Sequence, residues 1–277
     1  MRPALVLLAG RVGEYDRDRL MPAAIAVELT HVATLVHDDV IDRAELRRGR
    51  PTVSARLGDE PAIVIGDFYF AKAYEQAAMT RSAEVVAILA RAVMEICAGE
   101  VRQQAIRFHY TTGRDEYMQR IHAKTATLLA ACCDIGALLG NLGETARAAL
   151  HAYGSHLGVA FQIADDVLDY TASEDEIGKP IGHDLVEGFA TLPLMLALEN
   201  RRVSGELRRM LVDGRRLNAD EARRVVQLVA ESDAAQDALE HARELASLAR
   251  DQLAVLPESE ATRTLESLTD YVVSRKF

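Results

Sequence analysis

Two short runs of the same form stand out, Asp38-Asp39-Val40-Ile41-Asp42 and Asp165-Asp166-Val167-Leu168-Asp169. In a helix, positions i and i+4 lie on one face, one turn apart. Asp38 and Asp42 therefore point the same way, as do Asp165 and Asp169. Carboxylates are hard oxygen ligands of the kind magnesium prefers, and magnesium completes its shell with waters and substrate phosphates. Two such pairs facing each other across a helical bundle would cradle a metal-bound diphosphate. Metal held there would draw charge from a leaving diphosphate as its C–O bond breaks. The plainer alternative is a solvated acidic face. Against it, each run directly follows an apolar helical stripe, Ile25, Leu29, Val32 and Val36 before the first and Leu157, Phe161, Ala164 and Leu168 before the second. Each run thus sits near the end of a buried helix, where carboxylates need cations nearby.

Cations are at hand. Arg47 and Arg48 follow the first run in Leu46-Arg47-Arg48-Gly49-Arg50-Pro51, and adjacent arginines at a helix end or turn can fork onto phosphate oxygens. His31 lies seven residues before Asp38, on nearly the same face, although a lone helical histidine is otherwise read as core. Gln162, Asp165 and Asp169 fall at i, i+3 and i+7, a polar stripe down one helix.

These residues have to be positioned by helices. Ala, Leu, Arg and Glu dominate the proline-free stretch between Pro61 and Pro180, good helix formers all, and strand-type alternation does not appear. Breaks fall at Gly49-Arg50-Pro51, Gly58 to Pro61, Thr111-Thr112-Gly113, Gly140 to Gly143, Ser173 to Pro180 and Asp213-Gly214. Between them fit roughly ten helices, giving one all-α domain over residues 1–277. The more charged helices after Asn218 read as an outer, solvated layer. The net charge of −10 argues against a nucleic-acid partner and suits a protein that gathers divalent cations. Cys132 and Cys133, adjacent in an apolar run, read as core filler and Cys97 as unpaired, which points to a reducing, cytoplasmic setting. No apolar run is expected to form a stable membrane span. The opening Met1 to Gly10 is read as a packed helix, not a signal peptide, because its apolar part is short and Glu14 and Asp16 follow.

Taken in order, the motifs resemble the polyprenyl synthetase family, the all-trans isoprenyl diphosphate synthases, and within it the long-chain members. His31 to Asp42 followed by Leu46 to Pro51 is similar to the first aspartate-rich region. Gly66-Asp67-Phe68, Gly99-Glu100-Val101-Arg102-Gln103 and Lys124-Thr125-Ala126 follow in family order. Phe161 to Tyr170 resembles the second region, with Gly178-Lys179-Pro180-Ile181-Gly182-His183-Asp184-Leu185 and Thr191-Leu192-Pro193 after it.

The resemblance implies an isoprenoid-synthase-type bundle of about ten helices around a central cavity, paired as a homodimer. It implies condensation of isopentenyl diphosphate with an allylic diphosphate: loss of diphosphate to an allylic cation, attack by the isopentenyl double bond, and loss of a proton. It assigns Asp38, Asp42, Asp165 and Asp169 to magnesium, with Asp39 and Asp166 as supporting carboxylates of the metal set, and on the order of three ions per site. It assigns Arg47, Lys124 and Lys179 to the allylic diphosphate, Arg48 and His31 to isopentenyl diphosphate, and Thr125 and Gln162 to the developing cation.

Two departures from the family pattern stand out. The family carries Gly-Gly-Lys-Arg just before Arg-Pro, whereas this chain starts at Met1-Arg2-Pro3. The expectation is that the N-terminal segment is absent, through a start assigned too late, a shortened chain or a real loss of that grip. Glu187-Gly188-Phe189-Ala190-Thr191 has Phe189 where the family has lysine, implying a weaker hold on the allylic diphosphate. Below Asp38 the same face carries Thr34, Ala33, Thr30 and Val27, the last roughly 16 Å deeper. With no aromatic there the face is open, and the resemblance to the long-chain members implies a product of about thirty to fifty carbons. The alternative is that the small residues allow close helix packing while Phe70 or Tyr74 sets the floor. Rival functions are a class I terpene cyclase, disfavoured by the second full aspartate run and by Arg47-Arg48, and a non-catalytic subunit of a heteromeric synthase.

Overall fold

Asp16 accepts hydrogen bonds from the backbone N–H groups of Asp18 (2.9 Å) and Arg19 (3.3 Å), and this cap starts the long helix that ends in the first aspartate run. The computed structural model describes residues 1–171 and 182–274. Among them the only strands are Leu46–Arg47 and Arg50–Pro51, so the all-α expectation holds. The chain divides into two compact units, residues 1–94, 127–154 and 252–266 in one and residues 95–126, 155–251 and 267–277 in the other.

The first unit contains α1 (Arg2–Val12), α2 (Arg17–Ile41), α3 (Val53–Leu57), α4 (Asp59–Met79), the start of α5 (Ala83–Ala105), then α7 (Thr127–Leu139) and the start of α8 (Glu144–Thr171). α7 is apolar nearly all round and buried nearly all round, as a core helix must be. Cys132 and Cys133 lie within it, unoxidised and fully enclosed, and burial pushes the Cys132 thiol up to about 12. Core filler is therefore the correct reading of that pair.

The second unit contains the end of α5, then α6 (Arg114–Ile121), the end of α8, α9 (His183–Val186), α10 (Leu192–Glu199), α11 (Ser204–Met210), α12 (Ala219–Ala230), α13 (Ala234–Gln252) and most of α14 (Glu260–Ser274). Its core gathers Tyr110, Tyr117, Ile163, Leu185, Leu194 and Val225, among others. α12 opens with a reciprocal cap between Asn218 and Glu221, a local start signal independent of the core.

Helix 17–41 and the continuous helical stretch 114–139 have the length and mean hydropathy of a membrane-crossing helix, although no such run was expected. In the second of them 72% of the apolar window is buried inside the protein. Its hydrophobicity is thereby accounted for by core packing.

Candidate active site

α2 ends at Ile41, and the chain then turns through a small antiparallel hairpin pairing Leu46 with Pro51 and Arg47 with Arg50. The two turn residues, Arg48 (φ 50°) and Gly49 (φ 72°), are both left-handed, as the tightest hairpin turn requires. Gly49 adopts this freely; Arg48 does so against the clash of its Cβ with the backbone. The hairpin returns Arg47 over the helix end, where its Nε donates to Asp39 Oδ1 at 2.7 Å. Asp39 is only 4% exposed, whereas Asp38 and Asp42 are half-buried.

Behind this run, His37 Nε2 donates to the carbonyl of Ile63 at 3.0 Å, its ring centroid lies 5.6 Å from that of Phe70, and Asp67 lies 3.6 Å away. A Cβ on Gly66 would come within 2.1 Å of His37 Nε2. The Gly66-Asp67-Phe68 signature is thus the socket on α4 for the histidine beside Asp38.

His31 is half-buried. Burial, followed by the nearby guanidiniums of Arg2, Arg48 and Arg47, lowers its pKa to about 3. It is a neutral imidazole in a nest of positive charge, which suits an anion. Arg2 belongs to this group although sequence reasoning gave it no role; its Nε is buried with no hydrogen-bond partner among the described residues. The only advance signal was its place at the point where the chain joins the family pattern.

In the second unit, the helix begun by α6 changes register through a π turn, His122–Ala126, before α7 begins. π turns recur at functional sites, and this one carries Lys124 and Thr125. Glycines flank it on both sides. A Cβ on Gly99 of α5 would lie 2.7 Å from Ala123 Cβ, and one on Gly158 of α8 would lie 2.4 Å from Ala126 Cα. Lys124 Nζ donates to Glu100 Oε2 at 3.0 Å. Burial raises the Glu100 pKa, but the Lys124 ammonium and the amides of Gln104 and Gln103 outweigh it, and the net shift is downward. The Gly-Glu-Val-Arg-Gln signature therefore supplies a glycine slot and a carboxylate that orients Lys124.

Thr125 Oγ1 donates to Gln162 Oε1 at 2.7 Å, and Gln162 Nε2 donates to Asp166 Oδ1 at 2.8 Å. The other Asp166 oxygen accepts from the Tyr117 hydroxyl at 2.7 Å. Burial, then the Asp184 charge, pushes the Asp166 carboxyl up to about 7, opposed by these hydrogen bonds and by Arg120. Burial and the Asp166 charge hold the Tyr117 pKa well above its ordinary value, so its hydroxyl remains a donor. Asp165 and Asp169 are half-buried. Asp169 accepts from the backbone N–H groups of His183 (3.2 Å) and Asp184 (3.1 Å).

The two runs share one arrangement. Asp39 and Asp166 are turned inward and bound to side chains, one to Arg47, the other to Tyr117 and Gln162. Asp38, Asp42, Asp165 and Asp169 are half-buried. Among the described residues no three carboxylate, imidazole or thiolate groups form a closed cation cage. Paired carboxylates are a donor set that suits magnesium, which takes one or two carboxylates and completes its shell with phosphate oxygens and water.

Phe189 has a definite place. Arg107 Cζ lies 5.6 Å and Arg120 Cζ 5.7 Å from its ring centroid, and Arg120 also lies 5.4 Å from the Tyr117 ring. Arg107 in turn bonds the Glu187 carboxylate and carbonyl. Where a lysine would stand, an aromatic ring gathers two guanidiniums. Lys179, together with its Gly178 to Ile181 neighbours, lies outside the described residues. Val27, Thr30 and Ala33 have no exposed surface and Thr34 is half-buried, so three of the four positions expected to line an elongation cavity are packed against neighbouring atoms. Phe70 and Tyr74, one turn apart on α4, are half-buried.

A model of the polyprenyl synthetase family matches residues 1–229. Component 2 of the heptaprenyl diphosphate synthase of Geobacillus stearothermophilus is 37% identical, the match covering 100% of this chain and 86% of that protein. The crystal structure of a polyprenyl synthase from Caulobacter crescentus, complexed with calcium and isoprenyl diphosphate, superposes with a TM-score of 0.93 at 38% identity, over 100% of this chain and 84% of that one. A decaprenyl diphosphate synthase from Rhodobacter capsulatus superposes with a TM-score of 0.91 at 34% identity, over 100% and 85%. The ordered motifs, the helical fold and these likenesses agree, and they displace the terpene cyclase alternative: the chain belongs to the polyprenyl synthetase family of prenyltransferases.

Proposed function

We propose that the protein condenses isopentenyl diphosphate with an allylic diphosphate to give a medium- to long-chain polyprenyl diphosphate, with magnesium as its metal. The observation that carries this reading is the anchored middle aspartate of each run, Asp39 on Arg47 and Asp166 on Tyr117 and Gln162, with a half-buried carboxylate on either side of it. Asp38 with Asp42, and Asp165 with Asp169, would each hold divalent cations. When bound, the metal supplies charge neutralisation at the departing diphosphate.

The chain's own residues do the rest. Arg47, fixed by Asp39, and Lys124, fixed by Glu100, hold phosphate oxygens of the allylic substrate. Arg48, neutral His31 and buried Arg2 hold isopentenyl diphosphate. Thr125 and Gln162 offer oxygen lone pairs to the allylic carbon as its C–O bond breaks and positive charge develops. The isopentenyl double bond forms the new C–C bond, and the proton lost to restore the alkene leaves with the departing diphosphate.

A homodimer and a cytoplasmic setting belong to the same proposal. α4 exposes Val64 (65%) and Phe68 (57%) one turn apart, with Ile63 beside them, an apolar face of the kind a second copy covers. Three thiols and no disulfide suit a reducing compartment.

The test is to incubate purified protein with labelled isopentenyl diphosphate, magnesium and ten-, fifteen- or twenty-carbon allylic diphosphates, and to size the products. Elongated polyprenyl diphosphates are expected; no incorporation from any primer refutes the reading. A second reading, in which the chain works as one subunit of a two-component enzyme, is favoured by the "component 2" of the Geobacillus relative's name. It predicts no turnover by the chain alone and recovery on adding a partner subunit.

A further inference from the structure

All the hydrogens in the chain Thr125–Gln162–Asp166–Tyr117 run toward one carboxylate. Thr125 donates to Gln162 Oε1, Gln162 Nε2 donates to Asp166 Oδ1, and Tyr117 donates to Asp166 Oδ2. Both Asp166 oxygens accept in this arrangement, so the amide nitrogen of Gln162 faces Asp166 and its oxygen faces the Thr125 hydroxyl. Because the Thr125 hydroxyl hydrogen is committed to Gln162, what remains at Thr125 Oγ1 is lone pairs. The same holds for the second lone pair of Gln162 Oε1. Such a surface attracts a cation; with the Thr125 hydrogen turned outward it would repel one.

Tyr117 closes the far end. It lies seven residues before Lys124 in sequence, outside both aspartate runs, and its side chain is buried. The Arg120 guanidinium stands over its ring at 5.4 Å and is itself fixed by donating to the Ala190 carbonyl at 2.6 Å. The ring cannot rotate away from Asp166 without leaving that guanidinium. With one Asp166 oxygen held by Tyr117, the other is held square to Gln162.

We infer that Tyr117 is a positioning residue for prenyl transfer: through Asp166 it sets the hydrogen-bond direction that makes Thr125 and Gln162 present lone pairs to the developing allylic cation. The inference rests on the proposed condensation reaction, and it assigns a role to a residue in neither aspartate run.

The test uses the full chain and the isopentenyl and allylic diphosphates. Tyr117→Phe keeps the ring and its stacking with Arg120 and removes only the hydroxyl. The expected result is a fall in kcat of about tenfold, with KM for both substrates within twofold of wild type. Thr125→Val is the second arm. If Tyr117 acts through Thr125, the double variant Tyr117→Phe/Thr125→Val turns over within twofold of Thr125→Val alone. A purely structural role predicts losses that multiply, and that result overturns the inference, as does a Tyr117→Phe kcat within twofold of wild type. Should Tyr117→Phe not fold, Asp166→Asn is read in its place, with the same fall in kcat expected and an unchanged kcat counting against the idea. Failure of wild type to condense any primer is a different result: it removes the proposed reaction itself and this inference with it.

Discussion

Substituting alanine for Gly158 links helix packing directly to turnover. The new Cβ would lie 2.4 Å from Ala126 Cα, 2.9 Å from its Cβ and 3.3 Å from its N. Carbon atoms in contact sit about 3.6 Å apart, so the π turn must move away from α8 by about 1.2 Å. Overpacking of this kind costs about 1–3 kcal/mol, and a glycine replaced within a helix regains about 1 kcal/mol of propensity. The net loss is about 0–2 kcal/mol, a fall in Tm of at most about 8 °C for a chain of this size. The larger effect is on chemistry. Thr125 precedes Ala126, and its 2.7 Å bond to Gln162 does not survive a shift of about 1 Å. A misplacement of that size at a reacting centre costs on the order of a hundredfold, so kcat should fall between about tenfold and a hundredfold while the protein stays folded. Because the nearest atom is the Cα of Ala126, Ala126→Gly should not rescue the variant. Steady-state kinetics beside a thermal melt decide the matter. A Gly158→Ala protein with wild-type kcat and Tm would refute the reasoning from packing to site geometry.

Phe189→Lys sets an ammonium beside Arg107 and Arg120 and removes the ring they share. The melt should drop by a few degrees, from two lost cation–π contacts of about 0.5–1 kcal/mol each, while the allylic KM falls; an unchanged KM sinks the reading of Phe189 as a missing phosphate contact. His31 has a folded pKa of about 3, below its unfolded value of about 6.5. Between those values the unfolded chain holds a proton that the folded protein lacks, so stability declines as pH falls from 6.5 toward 3. The slope is at most about 1.4 kcal/mol per pH unit, reduced by solvent screening because the side chain is only partly enclosed. Urea titrations of wild type and His31→Gln at pH 7 and 5 should show a smaller decline in the variant, and equal declines would count against it. Ala33→Tyr, at a position with no exposed surface, should destabilise by about 1–3 kcal/mol before it alters product length. Tyr74→Ala should lengthen the product, and chromatographic sizing that shows no change removes Tyr74 from the floor.

Much of this was legible in the residues. Helical spacing placed both aspartate runs at the ends of apolar stripes, and α2 and α8 end as that spacing requires. The helices are interrupted where Gly and Pro cluster, by the hairpin at Gly49-Arg50-Pro51 and by the connections at Gly140 to Gly143 and Asp213-Gly214. Periodicity could not separate the middle aspartates from the outer ones, because which carboxylate turns inward depends on partners distant in sequence. Arg47 reaches Asp39 only through a hairpin whose turn sets Arg48 in a left-handed conformation. Tyr117 reaches Asp166 only through packing within the second unit. The π turn escaped for a similar reason: one extra residue per turn leaves no compositional trace. The small residues Ala33, Thr30 and Val27 are ambiguous in principle, since a tunnel wall and a tight helix contact ask for the same side chains.

The inward aspartates also bear on when order is acquired. Each run is fixed to its own unit by a protein side chain, so the outer carboxylates stand in place before any cation arrives. Proteins whose ligands gather only around the ion surrender chain entropy on binding, and their folding rises and falls with metal supply. Here that entropy is already lost during folding. In the proposed reaction an ion would need only loose holding and would come in on the diphosphate it accompanies. Discrimination among divalent ions would then depend as much on the phosphate oxygens that complete the shell as on the protein's carboxylates.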